Sequence, residues 1–375
     1  MRIIVIGCGV VGSFVGYFLK KHGIDVTCIS RWKKFPHVSL IQSIMQKFEE
    51  DIEMAHRSRI IYEEVSRELN VDQCISRVHS YTIISYKSLD KVNYLSELWR
   101  RYGISIRFVD EKDLKKMSFK VYDNELVFEG YPDYLVRIDK IVRSLWRELN
   151  VIRGEARLRL RDNGIVVTTE RGNIFTGDYI VVACGAYTRS LLRDVNVKLP
   201  LVPYKCQAGL FVLKTDRSDY ILYDYVNRVY VRPADNVMIN LVNRASPRRK
   251  FMISGNGNSP PLEPDEKEKS VDDYFKREVT ERLRRRYDYV KYVTGRADFC
   301  DTTPDARPLI AVIGNLVVVS GFNGYGVEIG PAVAKAVAKI VLGDKLDEYE
   351  KRYLSSRFGE IKDVGKLPEV EAHEL

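Results

Sequence analysis

The sequence predicts an α/β protein: a nucleotide-binding domain on a parallel sheet, interrupted by a second, α+β domain built on an antiparallel sheet. Three observations carry this. The chain opens on an apolar strand, a glycine turn and an apolar helix, MRIIVIGCGVVGSFVGYFL. A second fully apolar strand ends in Cys184-Gly185-Ala186, and a third, Leu316 to Ser320, feeds the glycine loop 321–326 and another helix. Between the last two lie segments that alternate apolar and polar residues as antiparallel strands do.

In the first stretch each glycine has a mechanical task. Gly7 makes the tight turn, Gly9 admits backbone close to a pyrophosphate, and Gly12 lets the helix pack on the strand. The helix start then offers unpaired N–H groups and partial positive charge to phosphates. A signal peptide or membrane anchor would also begin with Arg2 and an apolar run. Three glycines interrupt this one, no small-residue cleavage site follows, and Lys20-Lys21-His22-Gly23 ends the helix before a second strand at 24–29.

At 375 residues the chain exceeds what one core usually organises, so two domains are expected. A hydrophobic content of 45% rules out wholesale disorder. The net charge of +9 is spread among interleaved acids, which reads as the ion-pair-rich surface of a thermophilic protein. The basic pieces at 244–250 and 282–286 come with no nucleic-acid motif, so no nucleic-acid partner is expected. The six cysteines form no CxxC pair and the five histidines do not cluster, so no metal is expected. Cysteines inside strands act as small apolar residues, and a reduced, cytoplasmic compartment fits them.

Along the chain, the second strand ends at Ser30-Arg31, where an acidic residue usually takes the adenosine ribose. Ser39 to Ser43 reads as a loop with hydroxyls near the nucleotide. Helices are expected over 51–69, 89–102, 113–117, 134–149 and 272–289, and strands over 78–86 and 119–128, with a break at 129–133. A β-meander covers 156–173, with strands over 156–161 and 165–170 and turns at 162–164 and 171–173. Residues 210–213, 229–232 and 237–242 read as antiparallel strands. The helix over 330–342 has Pro331 near its start and Gly343 after its end.

Together these pieces resemble the D-amino-acid-oxidase-like FAD-dependent oxidoreductases, glycine and sarcosine oxidase branch. The matching segments are GCGVVG at 7–12, YPDYL at 131–135, VVACGAYT at 181–188, PYKCQ at 203–207, YVRPADN at 230–236, TTPDARPLI at 302–310 and the glycine loop and helix at 321–343. They keep the family's order over most of the chain. The resemblance implies a Rossmann-like FAD-binding domain from residues 1–80, 130–205 and 300–360. An inserted α+β substrate domain on an antiparallel sheet takes 81–129 and 206–299, and 361–375 is a tail. It implies that Gly7, Gly9, Val10, Val11 and Gly12 hold the pyrophosphate and that Ser30 and Arg31 lie at the ribose. Leu158 would meet the adenine by its backbone. Ala183, Cys184 and Gly185 would line the cofactor channel, and Gly324, Tyr325, Gly326, Val327 and Glu328 would run along the flavin pyrimidine. N–H groups at the start of the 330–342 helix would then stabilise negative charge on reduced flavin.

The chemistry implied is hydride transfer to flavin N5 from a C–H beside an amine, in an amino acid or secondary amine, or beside the hydroxyl of a 2-hydroxy acid. A substrate carboxylate calls for an arginine fork. Arg232 is the first candidate, with Arg307, Lys205 and Tyr325 behind it. Departures from the family matter as well. The carboxylate-binding arginine of glycine oxidases falls at Cys300. The flavin-linking cysteine of sarcosine oxidases falls at Asp298, so FAD is expected to be non-covalent. Their oxygen-side lysine falls at Glu328, which favours a dehydrogenase passing electrons to a protein or quinone. A flavoprotein subunit of a larger complex, and an oligomer, fit the same residues.

Overall fold

The computed structural model describes residues 1–31, 39–41, 48–71, 74–162, 164–234, 237–255, 261–264 and 269–359. The opening unit forms as read. β1 (Arg2–Ile6) turns through the glycines into α1 (Val10–Lys21) and β2 (Asp25–Ser30). Then come β3 (Ser39–Ile41), α2 (Glu49–Glu68), β4 (Ile75–Ser85), α3 (Leu89–Arg101), β5 (Ser105–Phe108), α4 (Glu111–Leu114) and β6 (Glu125–Val136). α5 (Ile138–Glu148) and β7 (Asn150–Arg153) lead to the meander β8 (Ala156–Arg161), β9 (Gly164–Thr169) and β10 (Ile174–Phe175), then to β11 (Tyr179–Val182) and α6 (Thr188–Leu192). The third part holds β12 (Val202–Leu213), β13 (Tyr220–Asp224), β14 (Val229–Pro233), α7 (Val237–Ala245), β15 (Lys250–Gly255), α8 (Asp273–Arg284) and β16 (Val290–Thr302). β17 (Leu309–Ile313), β18 (Leu316–Ser320), α9 (Gly330–Leu342) and α10 (Glu348–Lys351) close the chain.

Two large sheets result. The first runs β17-β18-β11-β1-β2-β7 and is parallel except for β17 against β18. Its strands are apolar on both faces because both are covered. Ile3, Val5, Val181 and Val317 pack under α1, α2, α5 and α9. Their neighbours Ile4, Ile6, Ile180, Val182 and Val318 point the other way, onto Leu158, Val167 and Leu191. The second sheet runs β16-β12-β15-β14-β13-β4-β6-β3, with β5 added on β6. Phe211, Leu213, Val229, Val231 and Met252 fill one face against Phe275, Val279 and Leu283 of α8.

Several expectations are corrected. The second sheet reaches past the expected boundaries: it takes β3 and all of β4, continues β6 to Val136, and starts β12 at Val202. The expected break at 129–133 is a continuous strand, since a register shift between Val78 and Ser80 of β4 accommodates the Gly-Tyr-Pro run opposite. The helix expected from 134 accordingly starts at Ile138. Residues 119–124 precede β6 rather than forming part of it. Residues 237–242 are helical in α7, because a short apolar run carries no decisive period and no strand among the described residues pairs with it. The segment read as a hydroxyl-rich loop contributes β3, paired antiparallel with β6, while Gln42 and Ser43 lie outside the described residues, as does the 361–375 tail. Cys206 and Cys300 form a disulfide across β12 and β16, so two of the six cysteines are not thiols; a separation of 94 residues hides the pair from spacing rules.

Among the described residues no helix is long and apolar enough to cross a membrane. No group of three His, Cys, Asp or Glu side chains among them is placed to hold a metal ion.

Candidate active site

A cavity of about 690 Å³ lies between the C-terminal ends of the parallel strands and one face of the second sheet. That is where open parallel sheets bind ligands, because the chain leaves strand ends in opposite directions and opens a crevice.

The first wall is backbone. Gly7 has φ +89° and donates its N–H to Ile29 O at 2.9 Å. A Cβ on Gly7 would lie 2.5 Å from Ala183 O, and one on Gly12 would lie 2.1 Å from Gly7 O. Gly9 differs: a Cβ there would meet nothing within 4 Å among the described residues, so the space beside it is open to the cavity it lines. Ser30 holds the turn, its Oγ accepting from the Cys8 N–H at 3.2 Å. Trp146 Nε1 braces it from behind, donating to Cys8 O at 3.0 Å. The Cys8 thiol is pushed well up by burial and then by Cys28, so it is a packing residue.

At the end of β2 Arg31 pairs with Glu155 at 2.9 Å and lies 4.9 Å over the Tyr187 ring. Both partners line the cavity. Glu155 thus brings a carboxylate to the region where Ser30 lacks one. It comes from the turn between β7 and β8, beyond the reach of a motif read on β2. Leu158 does not line the cavity: its side chain is core, and its N–H donates to the Asp194 carboxylate at 3.2 Å. Residues 154–157 form that part of the wall instead.

The third strand end binds the others together. Ser320 Oγ donates to Asp301 Oδ2 at 2.5 Å and lies 2.9 Å from Thr188 Oγ1 and 3.2 Å from Gly185 O. Asp301 also accepts the Gly321 N–H at 2.9 Å. Burial pushes its carboxyl up to about 6, against the pull of those two donors. Asn323 donates its N–H to Asp301 O and accepts from Tyr204 OH at 3.0 Å, while its buried Nδ2 has no partner among the described residues. Sequence reading missed Asp301, Asn323 and Tyr204; their one signal was proximity to the TTPDARPLI and GFNGYG segments.

Gly324, Gly326 and Val327 line the cavity, as do Ala183, Cys184 and Gly185. Burial raises the Cys184 thiol to about 12. Tyr325 packs against the core beneath α9, and Glu328 is buried behind Val327, whose carbonyl accepts from Tyr62 OH. The start of α9 faces α2 more than the cavity: Ser58 Oγ accepts the Ala332 N–H at 3.1 Å, and the lining stops short of Gly330.

The opposite wall is made of side chains. Tyr204, Cys206, Gln207, Tyr230, Arg296 and Cys300 contribute to it. Arg232 stands two residues along β14 from Tyr230, on the same side of the strand. Its Nη1 is buried with no partner among the described residues; burial lowers its pKa against a hydrogen bond with Tyr230, and Arg232 itself stands behind Tyr230 rather than in the cavity lining. The other cations are committed elsewhere. Lys205 is paired with Asp272 at 2.6 Å. Arg307 does not line the cavity and is held by Asp51 at 3.0 Å and Glu50 at 3.3 Å.

The model of the family described as FAD dependent oxidoreductase, DAO, matches residues 2–340. The chain belongs to that family. A monomeric sarcosine oxidase of Bacillus sp. strain NS-129 is 21% identical over 92% of this chain and 94% of its own. A D-proline dehydrogenase of Pyrobaculum islandicum is 22% identical over 92% and 96%. Among solved structures, an L-proline dehydrogenase from P. horikoshii matches with a TM-score of 0.80 at 19% identity, covering 96% of this chain and 99% of that one. FAD is therefore the cofactor of this chain, an oxidoreductase of the DAO family. The residues present fit it: the open face of Gly9 and the unpaired Asn323 Nδ2 leave room and a donor beside the strand ends.

Proposed function

We propose that the chain is an amino-acid or secondary-amine dehydrogenase that holds FAD non-covalently. The observation that carries the substrate class is Arg232. A buried guanidinium nitrogen without a partner is costly, and a substrate carboxylate bound bidentately would repay that cost. FAD, once bound, supplies the hydride acceptor. The protein's part is to place the substrate C–H and keep water out. Gly9, Val10 and Val11 bring backbone to the pyrophosphate, with Gly7 and Gly12 shaping the turn. Ser30, Arg31 and Glu155 face the ribose, and Gly324, Gly326 and Val327 face the ring. Arg232 orients the carboxylate, with Tyr204 and Tyr230 as walls. Asp301, half-protonated near pH 6, holds the three strand ends in register through Ser320 and Gly321.

Glu328 supports a dehydrogenase over an oxidase, since the family's oxygen-side lysine is replaced by a buried acid. Dye reduction measured beside oxygen consumption, over amino acids, N-methyl amino acids and 2-hydroxy acids, tests acceptor and substrate together. Activity only with hydroxy acids would move the reading to the 2-hydroxy-acid alternative. Acid precipitation should release all flavin into the supernatant if FAD is non-covalent.

A second reading, as one flavoprotein subunit of a complex, is favoured by α7. Met238, Leu241 and Val242 lie at i, i+3 and i+4 and are 68%, 54% and 43% exposed. Dye-linked activity of the isolated chain at full rate would count against it.

A further inference from the structure

We propose that the Cys206–Cys300 disulfide is a redox-active pair that accepts a second pair of electrons from the reduced cofactor. The proposal rests on the flavoenzyme reading above. Both cysteines line the cavity, on adjacent strands β12 and β16, where the register sets Tyr204 opposite Cys300 and Cys206 opposite Asp298. Their α-carbons are 6.0 Å apart. Both are partly exposed, whereas Cys8, Cys28 and Cys74 are buried, so the bridge is open to the cavity in a way the apolar thiols are not.

Two observations set this bridge apart from a plain staple. β12 and β16 are already held by a ladder running from Val202 opposite Thr302 to Leu213 opposite Val290, so the native pairing does not depend on a covalent tie. And the bridge occupies the wall of the 690 Å³ cavity, where the family chemistry generates a two-electron reductant. A disulfide is a two-electron acceptor whose reactivity depends on access and on what approaches it.

The step balances as follows. Oxidation of one substrate leaves two electrons on the cofactor as FADH⁻. The S–S bond breaks as those electrons pass to sulfur. The proton carried by FADH⁻ and one from solvent then complete two S–H groups, returning FAD. A second substrate can then reduce the cofactor again, so one chain stores four electrons. The thiol count rises from the four of Cys8, Cys28, Cys74 and Cys184 to all six.

The test uses the wild-type holoprotein, without oxygen, and needs no substrate. Dithionite is added in steps while flavin absorbance is followed; the protein is then denatured, alkylated and weighed. Four electrons taken up per FAD and six alkylated cysteines are expected. Apoprotein treated identically should keep four, which shows that the electrons reach sulfur through the cofactor. C206S and C300S holoproteins should each take two electrons. A wild-type titration that ends at two electrons with four thiols overturns the relay and leaves the flavoenzyme reading standing. Six thiols in the protein as isolated also overturn it. A chain that takes up no FAD, seen in its spectrum before any thiol is counted, overturns both.

Discussion

The two walls of the cavity are built on different principles. The parallel-sheet wall is made of backbone: three strand ends, Gly7, Gly9 and Gly12, and the N–H groups of residues 8 and 321 held by Ser30 and Asp301. The antiparallel-sheet wall is made of side chains carried by β12, β14 and β16, which come from segments up to a hundred residues apart. A cofactor common to a family suits the first construction, because a backbone cradle changes little with sequence. A substrate that varies suits the second.

Substitutions can break or sharpen that contrast. The largest effect is expected in the frame of the second sheet. There Arg286 is 1% exposed and bound bidentately by Asp224, at 2.6 and 3.0 Å, and by Glu125, at 2.5 and 2.8 Å. Removing it in Arg286→Leu strands two buried carboxylates and should cost about 3–5 kcal/mol in a denaturant melt. Arg232→Met comes next. With a carboxylate substrate, kcat/KM should fall about 100-fold, roughly 3 kcal/mol, chiefly through KM. An amine lacking the carboxylate should lose only a few-fold, and FAD affinity should stay.

On the backbone wall, Gly12→Ala pushes a Cβ into Gly7 O and should cost about 1–3 kcal/mol together with flavin retention on gel filtration. The pH dependence is then set by Asp301, whose folded pKa of about 6 lies above its ordinary 3.8. Between those values the native state holds the extra proton, so its contribution to stability falls as pH rises from about 4 to 6. Asp301→Asn should flatten this slope, worth about 3 kcal/mol across the window, in melts taken at stepped pH. The smallest effect is Ser30→Ala, which frees one N–H of the glycine turn and should weaken FAD by about 1 kcal/mol in a fluorescence titration.

What could be read without coordinates follows the same divide. The glycine turn at 7–12, the buried strands at 179–182 and 316–320 and the α9 start are local: each depends on residues next to one another. The acids that hold Arg307 were not legible, because Glu50 and Asp51 stand on α2 some 256 residues away. Lys205 was legible as a cation but not as one neutralised by Asp272. Residues 237–242 misled because six residues cannot separate a period of two from one of 3.6 without knowing whether a strand lies alongside.

By itself the sequence determined the class of the fold, the backbone cradle and, through the family's motifs, the cofactor. These depend on strand–turn–helix order and on where a side chain is missing, both of which short-range spacing records. Only the tertiary structure decided that Glu155 stands near the absent ribose acid, that Arg232 holds a buried Nη1 with no partner among the described residues, and that Cys206 meets Cys300. Each is a matter of which distant strand lies beside which, and strand pairing is settled by burial of whole faces rather than by any residue's neighbours in the chain.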